Sequence, residues 1–399
     1  MALTNSASRY GTITKSFHWL TALLILTAIP LALIGEELPQ ETSDQVAVKA
    51  LVYSIHKTLG VTIFFVALLR IAWALTQPKP VPVHPERQAE TFLAEAVHWC
   101  LYSALIVVPL SGWIGHSAAE GFAPIYLPFA DSLPFVPKSP EVEHAAFLTH
   151  WVFTNVLIGS LILHILGALK HAFIDRDGTL ARMWFGRGGA DPRPHAEPKG
   201  AGALLAAAIY VFGGVAVIYF SYDPTEAAVG PRQAERTGGN WQVEQGEIAI
   251  TVQQMGSAIE GRFAEWSAEI TFDEEPTDGS HGSVTVTIEI PSLTLGSVTD
   301  QAMSAQYFDA ENHPVSTYEA TILPAETGYL AQGTLSLAGQ TSDVSLPFTL
   351  QIDGDTARMQ GSTTLDRRNY GIGEGQSDPS TLGFEVDASI DLTATRVGG

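Results

Sequence analysis

The segment that decides the fold of the N-terminal half spans residues 147–173 and reads FLTHWVFTNVLIGSLILHILGALKHAF. It is long enough to cross a bilayer, because a helix needs about 20 mostly apolar residues to span the hydrocarbon core. It nevertheless carries His150 and His164, 14 residues apart. At this spacing the two side chains share a helix face and lie about 21 Å apart along the axis. Ionisable residues inside a membrane are costly, so these histidines indicate function.

Four other segments are comparably apolar, and we expect all five to span the membrane. They cover residues 17–35, 51–76, 92–113 and 201–222. A cleaved signal peptide is the alternative for the first of them, but a small-residue cleavage site is missing. Lys and Arg concentrate in the N-terminal tail and in the second and fourth connections, whereas the first and third connections are acidic. This asymmetry predicts a cytoplasmic N-terminus and places the residues after the fifth segment on the opposite side.

The charge balance changes near residue 223. Residues 1–222 hold 14 Lys or Arg and 15 Asp or Glu, a net charge of −1. Residues 223–399 hold 7 Arg, no Lys and 27 Asp or Glu, a net charge of −20. A nucleic-acid-binding protein would present a basic face, so no nucleic-acid partner is expected. Cys100 is the single cysteine of the chain, so an internal disulfide is excluded.

Four histidines are predicted to lie in two pairs, each pair at one depth in the membrane. His18 begins the first segment near the cytoplasmic face, at the level of His164, whereas His56 lies near the outer face, at the level of His150. Two neutral imidazoles on opposite sides of a porphyrin iron give a six-coordinate haem b, which transfers electrons. A Cys-X-X-Cys-His motif is absent from the sequence, so attachment would be non-covalent. We therefore expect two haem b groups, one near each face.

Other uses of these histidines are a proton relay, a non-haem metal site or a structural role. One metal shared by His150 and His164 is disfavoured by their separation along the helix. His171 is an alternative inner ligand, and Arg70 is a candidate partner for a haem propionate, with snorkelling as its alternative. Three glycines are expected to let a macrocycle approach the helices, namely Gly60, Gly112 and Gly159.

Several motifs in this half resemble the bacterial cytochrome b561 family over about residues 8–185. They are Arg9-Tyr10-Gly11, Phe17-His18-Trp19-Leu20, the IHKTLG stretch at residues 55–60, and the spacing of His150, His164 and His171. The resemblance implies a four-helix core that binds two b haems through His18, His56, His150 and His164. It also implies electron exchange with isoprenoid quinone in the bacterial inner (plasma) membrane. Cytochrome b subunits of hydrogenases and formate dehydrogenases, which serve a partner enzyme, are the nearest confusable relatives.

From residue 240 onward, apolar and polar residues alternate with period two. Residues 247–252, 283–290, 344–352 and 384–395 show the pattern, and turn residues separate them. Several short alternating segments, with no helical stretch recognised among them, predict an antiparallel sandwich or closed barrel.

This second half resembles the YceI family over about residues 238–397. The motifs are Gly261-Arg262-Phe263, Tyr307-Phe308-Asp309, the GTLSLAGQT stretch at residues 333–341 and Arg368-Asn369-Tyr370-Gly371-Ile372-Gly373. The resemblance implies a lipocalin-like, eight-stranded antiparallel barrel with an apolar cavity for a polyprenyl molecule such as isoprenoid quinone. Candidate cavity residues, which could also be ordinary core, are Phe263, Trp266, Tyr307, Phe308 and Tyr370. No set of nucleophile, base and orienting residue is recognised, so no catalytic residue is predicted.

The predicted fold is therefore multi-domain, with an all-α transmembrane bundle followed by an all-β barrel. The predicted bounds are 1–185 for the four-helix bundle, 186–200 for a cytoplasmic linker, 201–222 for the fifth helix, 223–239 for a periplasmic linker and 240–397 for the barrel.

The predicted function is di-haem electron transfer with the quinone pool, combined with polyprenyl lipid binding in the periplasm. One alternative is a periplasmic isoprenoid carrier whose membrane half is mainly an anchor. The others are a superoxide:quinone oxidoreductase and a structural subunit of a larger oxidoreductase. The charge of −20 over residues 223–399 disfavours superoxide, an anion. A further redox partner and self-association are compatible with each of these functions.

Overall fold

The computed structural model describes residues 2–84, 86–119, 123–130, 132–185, 200–221, 239–296 and 298–397. They form two compact units, one helical and one a β-barrel. The two predicted linkers, residues 186–200 and 223–239, fall almost wholly outside the described residues.

All five predicted spans are helices long and apolar enough to cross a membrane, which confirms that prediction. They are α1 (Thr12–Glu37), α2 (Ser43–Leu75), α3 (Gln88–Ala118), α4 (Pro140–Leu169) and α5 (Ala201–Ser221). α4 begins where the Ser139 hydroxyl accepts a hydrogen bond from the amide of Val142, with a proline at the first helical position. It continues as a π-helical turn over Lys170–Asp175 until Arg176 adopts the left-handed conformation at φ 53°.

α3 is the most enclosed of the five helices. In the most apolar stretch of α3, 39% of the residues are buried, against 17% in each of the other helices. The other four helices therefore present most of their apolar surface outward. Small residues permit close helix packing, and Ala67 of α2 and Ala104 of α3 are completely buried. Tyr210 of α5 stacks on Phe153 of α4 at 4.7 Å and donates a hydrogen bond to the carbonyl of Cys100. α5 is thus packed against α3 and α4.

The second unit contains ten hydrogen-bonded strand segments. They are β1 (Trp241–Gln254), β2 (Ser257–Phe263), β3 (Trp266–Thr277), β4 (Ser280–Glu289), β5 (Leu293–Thr294), β6 (Val315–Pro324), β7 (Tyr329–Leu337), β8 (Gln340–Asp353), β9 (Thr356–Asp366) and β10 (Leu382–Arg396).

These segments make eight barrel strands. β2 and β3 face β1 in one continuous register, because Phe263 lies opposite Ile248 and Ile270 opposite Trp241. β5 continues the line of β4 after a 3₁₀ turn and pairs with β2. The other edge of β1 pairs with β10 along its length, which closes the sheet. The predicted eight-stranded antiparallel barrel is confirmed.

The tight hairpins of the barrel have the expected turn chemistry. Met255-Gly256, Asp278-Gly279 and Ala338-Gly339 each have positive φ at both residues, as in the type I′ turn that matches strand twist. The expectation of no helix in this half was wrong for α6 (Thr299–Met303), which lies between β5 and β6. A helix of five residues is too short to produce a periodic sequence signal.

Candidate functional site

The pair His56 and His150, called the outer pair after its predicted position near the outer face, joins α2 to α4. The ring centroids of His56 and His150 lie 6.4 Å apart. Nδ1 of His56 lies 2.9 Å from the carbonyl oxygen of Ala28, and Nδ1 of His150 lies 2.8 Å from that of Val108. A carbonyl oxygen only accepts hydrogen bonds, so Nδ1 carries the proton in each ring and Nε2 keeps its lone pair. Both rings are thus oriented by a backbone carbonyl, with Nε2 able to bind a metal.

The cluster of His18, His98 and His164, called the inner cluster after its predicted position near the cytoplasmic face, joins α1, α3 and α4. The rings of His18 and His164 have centroids 6.1 Å apart. His98 of α3 lies edge-on to His164 at 5.1 Å, with its Nδ1 held 2.6 Å from the carbonyl of Ala94. The sequence pairs His18 with His164 by depth alone, whereas the approach of His98 depends on how α3 packs on α4.

His171 does not join this cluster. Its Nδ1 lies 2.6 Å from Oδ2 of Asp177, and its ring is stacked nearly parallel on His84, whose Nε2 lies 3.1 Å from the same oxygen. Burial opposes ionisation of Asp177, but hydrogen bonds from Thr179 and His171 outweigh it and lower the pKa of Asp177 to about 2. The carboxylate therefore remains charged at neutral pH and holds the rings of His171 and His84 beside each other.

One arginine lies beside the inner cluster. Arg70 of α2 has its guanidinium 5.4 Å from the ring centre of Tyr102 and lies within electrostatic range of His18, His98 and His164. A positive charge near these rings is what the predicted propionate contact requires.

Arg182, in the segment after α4, was not singled out from the sequence. Only 6% of its surface is exposed, and its Nη1 donates to the carbonyl of Val81 while the guanidinium covers the ring of Tyr10. Its Nε and Nη2 are buried with no hydrogen-bond partner among the described residues. Unpaired buried donors on a cation are costly, so they indicate an anionic partner.

The basic segments meet at one end of the bundle. The amide of Val81 donates to the carbonyl of Ala7, Nζ of Lys15 donates to the carbonyl of Trp184, and Arg182 reaches Val81. The N-terminal tail, the second connection and the segment after α4 therefore lie together.

The two pairs fit a porphyrin better than a bare metal ion. Metal–imidazole bonds of about 2 Å on opposite sides of one metal place the ring centroids about 6 Å apart. A protein-bound zinc or non-haem iron needs three or four protein ligands. Within the described residues, the single compact group of three metal-ligating side chains is Glu90, His171 and Asp175, outside both pairs. A porphyrin supplies four of the metal's ligands itself, so a haem needs at most two ligands from the protein.

The three glycines differ in what surrounds them. A Cβ at Gly60, one helical turn after His56, would meet no atom within 4 Å, as a cradle for a bulky group requires. At Gly112 a Cβ would lie 2.9 Å from Nδ1 of His150, so this glycine makes room for the imidazole. A Cβ at Gly159, which is exposed, would also meet no atom within 4 Å. The approach of a macrocycle at the three glycines stays a prediction.

The barrel encloses a cavity of about 270 Å³. The five aromatic residues singled out from the sequence all line it, namely Phe263, Trp266, Tyr307, Phe308 and Tyr370. The wall also includes Gln254, Gln301 and Arg367, which sequence reasoning missed because they lie at the end of β1, inside the short α6 and at the start of the 3₁₀ turn after β9.

Comparison with known proteins relates the two units to different families. Residues 9–186 match the model for prokaryotic cytochrome b561, and residues 240–394 match the model for the YceI-like domain. Cytochrome b561 homolog 2 of Escherichia coli (strain K12) is 30% identical over 183 residues, which cover 46% of this chain and 95% of that protein. The "Probable superoxide oxidase CybB" of Yersinia pestis is 25% identical over 182 residues, which cover 44% and 95%.

Two solved structures resemble the second unit. BcnA of Burkholderia cenocepacia is 30% identical, with 38% of this chain and 96% of that chain covered and a TM-score of 0.35. The YceI protein of Campylobacter jejuni is 18% identical, with 44% and 98% covered and a TM-score of 0.31.

Proposed function

Since the chain belongs to the prokaryotic cytochrome b561 family through residues 9–186 and carries a YceI-like domain at residues 240–394, we propose that it is a membrane di-haem b electron-transfer protein whose barrel binds a polyprenyl lipid. The observation that carries the proposal is the two pairs of imidazole rings, with centroids 6.1 and 6.4 Å apart, on helices long and apolar enough to cross a membrane.

We assign His56 and His150 as axial ligands near one face, and His18 and His164 as axial ligands near the other. Haem b, when bound, supplies one-electron chemistry at its iron. The chain supplies Nε2 lone pairs on rings fixed by the carbonyls of Ala28 and Val108, together with a low-dielectric surrounding. With two imidazoles for each haem, the iron would have no position left for oxygen, and the bound group would supply electron transfer.

Arg70 and Arg182 are assigned to the anionic groups at the inner site. Arg70 lies near His18 and Tyr102, and Arg182 covers the ring of Tyr10 and has two buried donors without partners among the described residues. A propionate would accept hydrogen bonds from such a guanidinium with matching planar geometry.

The end of the bundle that gathers the basic segments is assigned to the cytoplasm, with the bundle in the bacterial inner membrane. After five crossings the barrel would be periplasmic. Reporter fusions at residues 80 and 399 test the assignment: a cytoplasmic signal at 80 and a periplasmic signal at 399 are expected, and the reverse would contradict it.

We assign isoprenoid quinone as the electron-exchange substrate. Adding a short-chain quinone to the dithionite-reduced chain, after removal of excess reductant, should return the b-type absorbance to its oxidised form. Persistence of the reduced spectrum in the presence of quinone would argue against this substrate.

Two alternatives have distinct signatures. The Yersinia pestis relative is named for superoxide oxidation, which raises superoxide as an electron donor here, although the −20 charge of residues 223–399 would repel an anion. Reduction of the haem by a superoxide-generating system, abolished by superoxide dismutase, would favour that role. A membrane anchor without redox function would show no b-type absorbance.

Gly112→Val is expected to lower haem content by about one group per chain, because the new side chain overlaps the ring of His150. The measurement is the ratio of haem to protein in the purified chain. Gly214→Val is the control, since its Cβ would meet no atom within 4 Å and α5 carries none of the four histidines. Equal haem content in the two variants would contradict the assignment of His150.

Arg182→Gln is expected to lower the midpoint potential of one haem by on the order of 60 mV, a tenfold change for a one-electron couple. Loss of a nearby positive charge disfavours the reduced, more negative form. Spectroelectrochemical titration measures the potential, and exposed Arg176→Gln is the control. Identical potentials in the two variants would remove Arg182 from the site.

A further inference from the structure

The barrel cavity has two chemically different ends. One end is aromatic, since Tyr329 contacts Phe272 at 5.2 Å and Phe348 at 5.5 Å between ring centroids, and the Trp241 indole donates to the carbonyl of Phe272. The other end contains the polar wall residues. Gln254 lies opposite Leu382 in the β1–β10 pairing, and the carbonyl of Leu382 accepts a hydrogen bond from Arg367.

Tyr307 belongs to the same polar end. The side chains of Arg367 and Tyr307 both lie against Gly373. A Cβ at that glycine would be 3.1 Å from Nη1 of Arg367 and 3.2 Å from Cε1 of Tyr307. The Tyr307 hydroxyl accepts a hydrogen bond of 3.0 Å from Nε2 of Gln301. Burial raises the pKa of Tyr307, so this hydroxyl is uncharged at neutral pH.

Arg367 bears the one charged side chain among the described residues that line the cavity. It is 4% exposed, and a guanidinium has five N–H donors. All five are used by backbone carbonyls at 2.5–3.2 Å: Nε by Gly383, Nη1 by Ile372 and Gly373, and Nη2 by Gln376 and Leu382. Arg367 therefore braces the chain between β9 and β10 and has no N–H left for a ligand.

Gln254 is the polar wall residue with unused hydrogen-bonding capacity. Its side chain is 8% exposed, and its Oε1 is buried with no hydrogen-bond partner in the part of the chain that the structure describes. The oxygen of a carboxamide only accepts hydrogen bonds, so the unpartnered Oε1 pairs with a donor such as a hydroxyl. A buried polar group without a partner is unfavourable, and a ligand that supplies one is favoured.

An anionic head group would find no cation with a free N–H at this end. A diphosphate needs several free donors or cations when it leaves water. The described wall offers neutral amides, a neutral phenol and a fully engaged guanidinium, and the hydroxyls of Ser316 and Thr363 already donate to backbone carbonyls. The barrel half of the chain, residues 223–399, also carries a net charge of −20, which repels anions.

We propose that the barrel selects isoprenoids whose uncharged head donates a hydrogen bond, a quinol or a prenyl alcohol, held by Oε1 of Gln254 at the polar end of the cavity, and rejects prenyl diphosphates. This inference rests on the proposed function, because it assumes that the barrel binds an isoprenoid. It adds the chemical class of the head group and the residue that recognises it.

The test compares tritiated geranylgeraniol with tritiated geranylgeranyl diphosphate, which share one hydrocarbon chain and differ in the head. Binding to the full-length chain is measured in detergent by scintillation proximity. The blank is the full-length Ala388→Trp variant, whose new side chain fills the middle of the barrel, so that binding to the helical unit is subtracted. We expect the alcohol to bind at least tenfold more tightly than the diphosphate.

Variants at two adjacent glutamines of β1 test the recognising residue. Gln254→Leu should weaken alcohol binding about tenfold, whereas Gln253→Leu, on the exposed face of the same strand, should leave it unchanged. Gln254→Asn, which keeps a carboxamide, should retain part of the affinity and shows whether a loss in Gln254→Leu comes from the amide or from packing.

The outcomes separate the two claims. Diphosphate binding equal to or tighter than alcohol binding would overturn the head-group inference and leave isoprenoid binding intact, as would equal alcohol affinity in the two leucine variants. Binding of neither probe above the Ala388→Trp blank would overturn the proposed isoprenoid function of the barrel, and the inference with it.

Discussion

Replacing His150 by alanine is expected to reduce the haem b content of the purified chain from about two groups to about one. In the proposed assignment, His150 and His56 would each supply one nitrogen to the same haem, and the single remaining imidazole would hold that haem much more weakly. The inner pair, about 21 Å away along α4, should keep its ligands. Pyridine haemochrome quantification against protein concentration measures the change.

His144→Ala is the matched control, because this histidine is on the same helix but exposed. It should retain both haems with an unchanged spectrum. His164→Ala should also lose one haem, and the surviving group should differ in midpoint potential from the one that survives in His150→Ala. Retention of two haems in His150→Ala, or the same loss in His144→Ala, would contradict the ligand assignment.

Ala388→Trp is expected to abolish co-purification of isoprenoid with the full-length chain, while both haems remain. Ala388 is buried in the middle of β10, opposite Ile250 of β1, and lines the cavity. An indole there occupies the space that a polyprenyl chain needs, because an eight-stranded barrel holds little more than one ligand. Organic extraction followed by mass spectrometry compares the bound lipid with that of the unmodified chain.

Ser389→Trp is its control, since successive residues of a strand point to opposite sides and Ser389 is exposed. This variant should retain the lipid. A smaller insertion, Ala388→Leu, should reduce the bound lipid without the overpacking that a tryptophan can cause. Full lipid content in Ala388→Trp would place the ligand outside the barrel, and lipid loss in Ser389→Trp would show that the effect is not one of cavity filling.

The helical half was predictable because hydropathy fixes where each helix crosses the membrane and helical geometry fixes which side chains share a face. Those two rules bring His18 level with His164, and the structure indeed has them side by side. They do not describe the packing between helices. His98 approaches His164 because of how α3 packs on α4, and a single sequence does not encode that contact.

Arg182 was missed for a different reason. Lys and Arg are common in cytoplasmic connections for topological reasons alone, so one more arginine after α4 carries no signal. Its burial and its unpaired Nε and Nη2 become evident after the segment has folded back onto Tyr10 and Val81. Arg182 is distinguished by its buried surroundings and unpaired donors, whereas its residue type is ordinary for such a connection.

In the barrel, alternation and turn residues were sufficient to predict the architecture, because an inward side chain every second residue is a property of the strand itself. The polar end of the cavity was not predictable. Gln254 ends β1 and Arg367 lies in the 3₁₀ turn after β9, and these positions meet because the sheet closes between β1 and β10. The hydrogen bonds that engage Arg367 also come from a turn with no periodic pattern.

The most direct test of the account is the amount of haem b bound by the unmodified full-length chain. It is determined by pyridine haemochrome quantification and a reduced-minus-oxidised spectrum of the protein purified from membranes. Two six-coordinate sites predict about two haem b per chain and b-type absorption bands. A chain that folds, inserts into the membrane and purifies without b-type bands, or with a metal bound in place of porphyrin, would contradict the assignment of His18, His56, His150 and His164.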